Sequence, residues 1–483
     1  HSDLRGFGIE LPAPLGKRPA EPRRLRVEAE FANLERMLTR IAFGEVRALM
    51  LLRHDEQGWR LDRGAVRPDG VAAALPDHPG LRIEGTLERL ALDDWLALGR
   101  GTGEGDARRA TRLPDYLRAA NLRIGTLELS GYRWSGVRGL LNATPAGWQV
   151  NVAGPMAEGE LVIPYDLRGP APLSAKFAHL TLARPESTEE PAQPTKVRDP
   201  RNLPAVEATV QALQVGAAQL GKVDLKMARA AQGVRIETLT VSGNAFQGNA
   251  SGHWLRGPAG DESRLEARLA SSDVGATLRS LGYPGFIEAK HGEILADLSW
   301  RGGFDPDFLG RASGTLSVAA QDGQVLHLQP GAGRLLGLLS VAALPRRLAL
   351  DFSDLTDKGL SFDSVHGDFE LRDGDAYTRN LLLRGPAAEI GIAGRTGLGT
   401  QDYDQTAVVT GNLGASLPVA GALAGGPAVG AALLLFSQMF KEPLKGIARG
   451  YYRITGSWEN PVVERVDAAE IKEASARQLG QKP

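Results

Sequence analysis

The sequence predicts a mainly β protein, an extended antiparallel sheet, and three observations lead there. Short runs alternate apolar and polar residues, the pattern of strands with one buried and one wet side. The chain's 59 glycines and 29 prolines break these runs into strand-sized pieces. Nowhere do strands alternate with long amphipathic helices, as a doubly wound parallel sheet would require.

The clearest strand is Lys222–Met227, in which Val223, Leu225 and Met227 share one side and Lys222, Asp224 and Lys226 the other. The same alternation returns at Ile294, Ala296, Leu298 and Trp300, at Leu316, Val318 and Ala320, and at Leu348, Leu350 and Phe352. Gly125, Gly221, Gly314 and Gly367 each start a five-residue unit of one loose pattern, and they are expected to open strands. Asp322-Gly323 and Asp373-Gly374 predict hairpin turns, because glycine supplies the positive φ of tight primed turns.

This pattern divides the chain. Residues 1–182 form one sheet segment, and 183–204 a linker or long loop carrying five prolines and eight charged residues. Residues 205–412 form a second sheet segment, with a helix at 331–344 where leucines fall at helical spacing before Pro345. An apolar helical hairpin at 413–448, terminal strands at 449–466 and a charged tail at 467–483 complete the layout. Leu413–Phe440 carries no charge over 28 residues, but its prolines and glycines leave only Ala428–Phe440 as continuous helix. That helix is about 20 Å long, short of the roughly 30 Å hydrocarbon core. The hairpin therefore either dips into one leaflet, through Leu433, Leu434, Leu435, Phe436 and Phe440, or caps an open end of the sheet.

Composition narrows the function. Lys and Arg total 56 against 57 Asp and Glu, so no net field draws the chain to nucleic acid or anionic lipid. Absence of cysteine removes disulfides, thiol nucleophiles and zinc knuckles. The eight histidines stand singly with no metal-ligand spacing, and there is no GxSxG elbow. Asp351, Asp354 and Asp357 read as solvated loop carboxylates. Gly331, Gly333 and Gly337 imitate a dinucleotide fingerprint but lack its spacing and its βαβ setting. No catalytic residue, cofactor or metal is expected. No charged stretch followed by an apolar run opens the chain, and His1-Ser2 reads as a scar, so the chain is expected to be a fragment without its amino-terminal anchor.

Three stretches carry a resemblance: GAGRLLGLLSVAALPRRLALDFSDL from Gly331, QDYDQTAVVTGNLGASLPVAGALAGGPAVGAALLLFSQ from Gln401, and YYRITGSWENPVVER from Tyr451. Upstream, LRIGTLELSGYRW from Leu122, LVIPYDLRG from Leu161 and the stretch from Ser271 to Gly302 belong to the same pattern. Together they resemble the carboxy-terminal periplasmic region of the YhdP branch of the AsmA-like family. The resemblance implies a curved, taco-like repeating β-groove with a few short helices near its carboxy-terminal end. It also implies an envelope protein anchored in the inner membrane, reaching toward the outer membrane and moving phospholipid, with the apolar hairpin as an outer-membrane contact.

A sheet apolar on one side must cover that side, close on itself, or hold ligand there. Few helices are available as a lid, so Val223, Leu225, Met227, Ile294, Leu298, Leu316, Val318, Ile390 and Ile392 are expected to line a groove for acyl chains. The alternatives are a scaffold for outer-membrane protein or surface-polymer assembly and, last, a carbohydrate-acting β-solenoid. The latter would need paired carboxylates and aromatic platforms, and aromatics make up only 6% of the chain.

Overall fold

The computed structural model describes residues 1–56, 58–98, 116–183, 199–283, 287–326, 360–411 and 448–465. The expected helix at 331–344, the strand at 348–352, the acidic cluster, the glycine decoy, the hairpin residues Leu433–Phe440 and the charged tail lie outside the described residues. The chain divides into two compact units, His1–Thr195 with Pro204–Gly216 and Lys196–Leu203 with Ala217–Pro483.

The first unit begins with an antiparallel meander, β1 (Leu25–Asn33), β2 (Arg36–Phe43), β3 (Val46–Asp55) and β4 (Gly58–Arg67). β5 (Gly80–Ala91) and β6 (Leu117–Leu129) then join in parallel, β4 to β5 and β5 to β6. Antiparallel pairing resumes through β7 (Tyr132–Ala143), β8 (Gly147–Gly154), β9 (Ala157–Pro164) and β10 (Leu173–Leu182), and β11 (Val206–Val215) again runs parallel to β10. The expectation of antiparallel neighbours throughout thus fails at three junctions. Parallel partners require the chain to return to the end it started from, which takes a long connection. Those connections are the proline- and glycine-rich stretches of the sequence, including the predicted linker, whose far end is the 3-10 turn Pro200–Asn202 capped by Asp199.

Among the described residues, the strands of the second unit are antiparallel throughout. Its strands, each paired to the next, are β12 (Ala218–Ala230), β13 (Gly233–Ser242), β14 (Phe246–Gly257), β15 (Gly260–Ser271), β16 (Ile287–Arg301) and β17 (Ser313–Val325). β18 (Leu360–Arg372), β19 (Asp375–Arg384), β20 (Ala388–Gly397), β21 (Asp402–Gly411), β22 (Ala448–Ser457) and β23 (Pro461–Arg465) follow.

Two glycine readings need correction. Asp373-Gly374 makes the tight turn between β18 and β19, with φ of 48° and 88°. Asp322-Gly323 makes none: β17 runs through it, with Gln321 and Gly323 still paired to β18. The glycine is needed there for clearance, because a Cβ would lie 2.1 Å from the Glu288 carbonyl oxygen. Likewise Gly125, Gly221 and Gly367 sit inside strands rather than opening them.

Two short helices escaped the sequence reading, α1 (Leu92–Leu98) and α2 (Val274–Ser280). α2 is started by Asp273, whose Oδ1 accepts from the Ala276 amide at 2.8 Å. Among the described residues, no helix is long and apolar enough to cross a membrane.

Each unit has its own core. In the first, Ile124, Trp134, Val137, Ala157, Ala175, Phe177 and Val210 cluster across β6–β11, and Trp134 Nε1 donates to the Thr181 carbonyl at 2.9 Å. In the second, burial is deepest over β19–β22, where Leu381, Leu383, Ile390, Ile392, Ala407 and Ile454 are 0% exposed. Ile392→Ala should therefore cost about 2–5 kcal/mol, the range for emptying a packed site, whereas Ile294→Ala, at a half-open site, should cost about 1 kcal/mol. Urea denaturation of the two variants checks this; equal losses would contradict it.

Candidate functional site

In antiparallel strands, residues directly opposite one another point to the same side of the sheet. Following the second unit's register from β12 to β18 gives three transverse rows. The first is Val223, Val241, Gly248, Leu269, Ile294, Val318 and Gly367. The second is Leu225, Leu239, Ala250, Ala267, Ala296, Leu316 and Phe369. The third is Met227, Ile236, Gly252, Leu265, Leu298, Gly314 and Leu371. Every member is apolar. At about 4.8 Å per strand, six steps carry each row roughly 29 Å across the sheet.

The register places seven of the residues singled out from sequence in these rows: Val223, Leu225, Met227, Ile294, Leu298, Leu316 and Val318. Ile390 and Ile392 face the same side two strands further on, opposite Leu383 and Leu381. Their surroundings differ. Ile294 is 39% exposed, and Leu225, Met227, Leu239, Val241, Leu269 and Val318 are half-buried, so the rows lie open to water over much of β12–β17. Val223, Leu298 and Leu316 are buried, and Ile390 and Ile392 are sealed within the core. Apart from Val223, the apolar side thus passes from partly open over β12–β17 to closed over β19–β22. At the closed end Gln405 is fully buried on this side, its Nε2 donating to Thr396 Oγ1 at 2.7 Å.

The sequence reading missed the β13–β15 contribution to the rows. Leu265, Ala267 and Leu269 alternate with Arg264, Glu266 and Arg268, a signal that was available. β14 gave none, because its inward residues are largely Gly248, Ala250 and Gly252, which periodicity does not mark as apolar.

The opposite side is tied together in water. Lys226 Nζ reaches Glu237 Oε2 at 3.3 Å, Arg264 Nη2 reaches Asp297 Oδ2 at 2.8 Å, and Arg268 Nη2 reaches Glu293 Oε1 at 2.6 Å. Further on, Ser317 Oγ donates to Asp368 Oδ1 at 2.5 Å, and Arg395 bridges Asp375 at 2.8 Å and Asp402 at 2.6 Å. Exposed pairs of this kind add little energy singly, but they commit that side to solvent. Among the described residues no cluster of His, Asp or Glu could hold a metal ion.

The geometry defines a class: a β-sheet protein that, among the described residues of its second unit, is charged and wet on one side and apolar on the other, partly open to water over β12–β17. The profile of the family described as YhdP protein matches residues 1–463, and the chain belongs to that family. It is 25% identical to the "Intermembrane phospholipid transporter YhdP" of Escherichia coli (strain K12), a match covering 96% of this chain and 37% of that protein. The chain therefore spans little more than a third of that relative's length. No solved structure matches.

Three carboxylates that brace the second unit lie below the usual carboxylate range. The hydrogen bonds from Arg256 hold Asp261 down, those from Ser317 and Asn380 hold Asp368 down, and those from Arg395 hold Asp402 down. A depressed folded value contributes stability that is present above the unfolded value and lost as pH falls through the folded one. Urea midpoints should therefore stay level from about pH 8 to 5 and fall below about pH 4. A midpoint that rises on acidification through this window would contradict the assignment.

Proposed function

We propose that this chain carries phospholipid acyl chains along the apolar side of its sheet, as a segment of a periplasmic bridge between inner and outer membrane. The observation that supports this most is the set of three wholly apolar rows left partly open to water over β12–β17. The relative's name supplies the cargo class.

The physical problem in moving a lipid through water is its tail. Each exposed methylene costs about 0.8 kcal/mol, so a tail of ~15 would cost on the order of 12 kcal/mol to leave its bilayer. An apolar floor removes most of that barrier. Because the attraction has no direction, a tail slides between equivalent positions with little change in energy while its headgroup stays in water. The reading requires no catalytic residue, cofactor or metal.

In this reading Leu225, Met227, Ile294 and Val318 form the floor, Val223, Leu298 and Leu316 its buried margin, and Ile390 and Ile392 the closed end. The apolar segment containing Leu433, Leu434, Leu435, Phe436 and Phe440 contacts the inner leaflet of the outer membrane, and the full-length protein is anchored in the inner membrane.

Native mass spectrometry of the purified chain should show bound phospholipid, whereas consistently bare protein would favour the scaffold alternative. Leu269→Asp, Ile294→Asp and Val318→Asp should each abolish lipid co-purification while leaving the far-ultraviolet circular dichroism and thermal midpoint close to those of the parent. Undiminished lipid in all three would sink the proposal.

A further inference from the structure

The second unit contains a cavity of about 620 Å³ at the ends of three strands, where β16 begins, β17 finishes and β18 begins. Two of its lining residues, Ala289 and Phe362, belong to the same buried cluster as Leu298, Leu316 and Phe369 of the apolar rows. Ala289 and Phe362, both buried and both opposite Gly323 in the register, form part of its wall. α2 stands over the same margin: Val274 and Leu278 pack against the core, and a Cβ on Gly292 would meet Val274 Cγ2 at 2.7 Å. The remainder of the wall is charged, with Arg279 and Lys290 set among Asp273, Glu288, Asp322 and Asp363.

Four of these six groups are already engaged. Asp273 Oδ1 accepts from the Ala276 amide, Glu288 Oε2 accepts from Gln324 Nε2 at 3.0 Å, and Lys290 Nζ lies 3.6 Å from Asp322 Oδ2. Arg279 and Asp363 have no ion-pair or side-chain hydrogen-bond partner among the described residues, and both are exposed. One cavity at the edge of an apolar floor therefore presents one uncommitted guanidinium and one uncommitted carboxylate. A guanidinium suits a phosphate, which it grips with two parallel N–H bonds, and a carboxylate suits an ammonium. Four carboxylates against two cations make the wall net negative, which disfavours a purely anionic ligand.

We infer that this cavity is a station for the zwitterionic headgroup of a phospholipid, with Arg279 on the phosphodiester and Asp363 on the ammonium. The inference deepens the carrier reading and rests on it: tails lie on the apolar rows while the headgroup pauses at the strand ends. It adds chemical selectivity to a path that would otherwise select only for hydrocarbon.

The test measures binding of three probes to the 483-residue chain: dihexanoyl phosphatidylethanolamine, dihexanoyl phosphatidylglycerol and an uncharged fluorescent alkyl alcohol. Arg279→Gln and Asp363→Asn should each weaken the ethanolamine lipid about tenfold, the loss of one charge-assisted hydrogen bond. Asp363→Asn should not weaken the glycerol lipid, and neither variant should change alkyl binding or the thermal midpoint. Arg279→Lys should recover part of the affinity. Unchanged ethanolamine-lipid affinity in both variants, with alkyl binding still lost in Ile294→Asp, would overturn the headgroup station and leave the carrier reading standing. Equal loss of both lipids in Arg279→Gln, with no effect of Asp363→Asn, would overturn the zwitterion assignment. A parent chain that binds no alkyl probe would overturn the carrier reading and the station with it.

Discussion

A β-strand presents alternate side chains to opposite sides, so a sheet can face two different media at once. In the second unit this constraint is used from strand to strand, with register shifts such as those at Lys226/Met227 and Ile236/Leu239 that leave the rows facing one side. Lys226, Arg264, Arg268, Asp297 and Glu293 hold one side in water through cross-strand pairs, while three rows running from Val223, Leu225 and Met227 hold the other side apolar. A slip of one residue in any strand would exchange the two sets, placing charges on the floor and methyl groups in solvent. The ion pairs are therefore less a source of stability than a lock on register, and register is what makes the floor continuous.

That floor is finished differently at its two ends. Over β12–β17 Ile294 and its neighbours remain partly exposed, whereas over β19–β22 Ile390, Ile392, Leu381 and Ile454 have no exposure. The energetics of the two regions consequently separate. Burial at the closed end supplies cohesion to the unit, and the open stretch contributes less to folding than its composition would allow. Apolar surface left wet in this way is the usual mark of a binding face. The charged cavity beside α2 adds a polar feature at the margin, where a molecule that is part hydrocarbon and part headgroup needs one.

Membership of the YhdP family and the resemblance to a transporter named for phospholipid agree with this division of labour. The proposed carrier role asks for no catalytic group. What it needs is many equivalent apolar positions, and repeated strands of similar pattern are the simplest way to encode them.

Much of this was legible in the sequence, because alternation is a local property. The run from Lys222 to Met227 declares its two sides without reference to any neighbour, and so do those around Ile294 and Leu316. Family stretches around Gly331, Gln401 and Tyr451 were equally plain to read. Three things were decided only by tertiary structure. Parallel junctions at β4–β5, β5–β6 and β10–β11 depend on where a connection returns the chain, which no local pattern records. Asp322-Gly323 reads as a turn but lies within β17, since a dipeptide that permits a turn does not compel one when both flanks are already paired. The contrast between an open Ile294 and a sealed Ile392 is likewise invisible in strands of similar pattern, because exposure is set by what packs opposite a side chain, and packing partners come from distant parts of the chain.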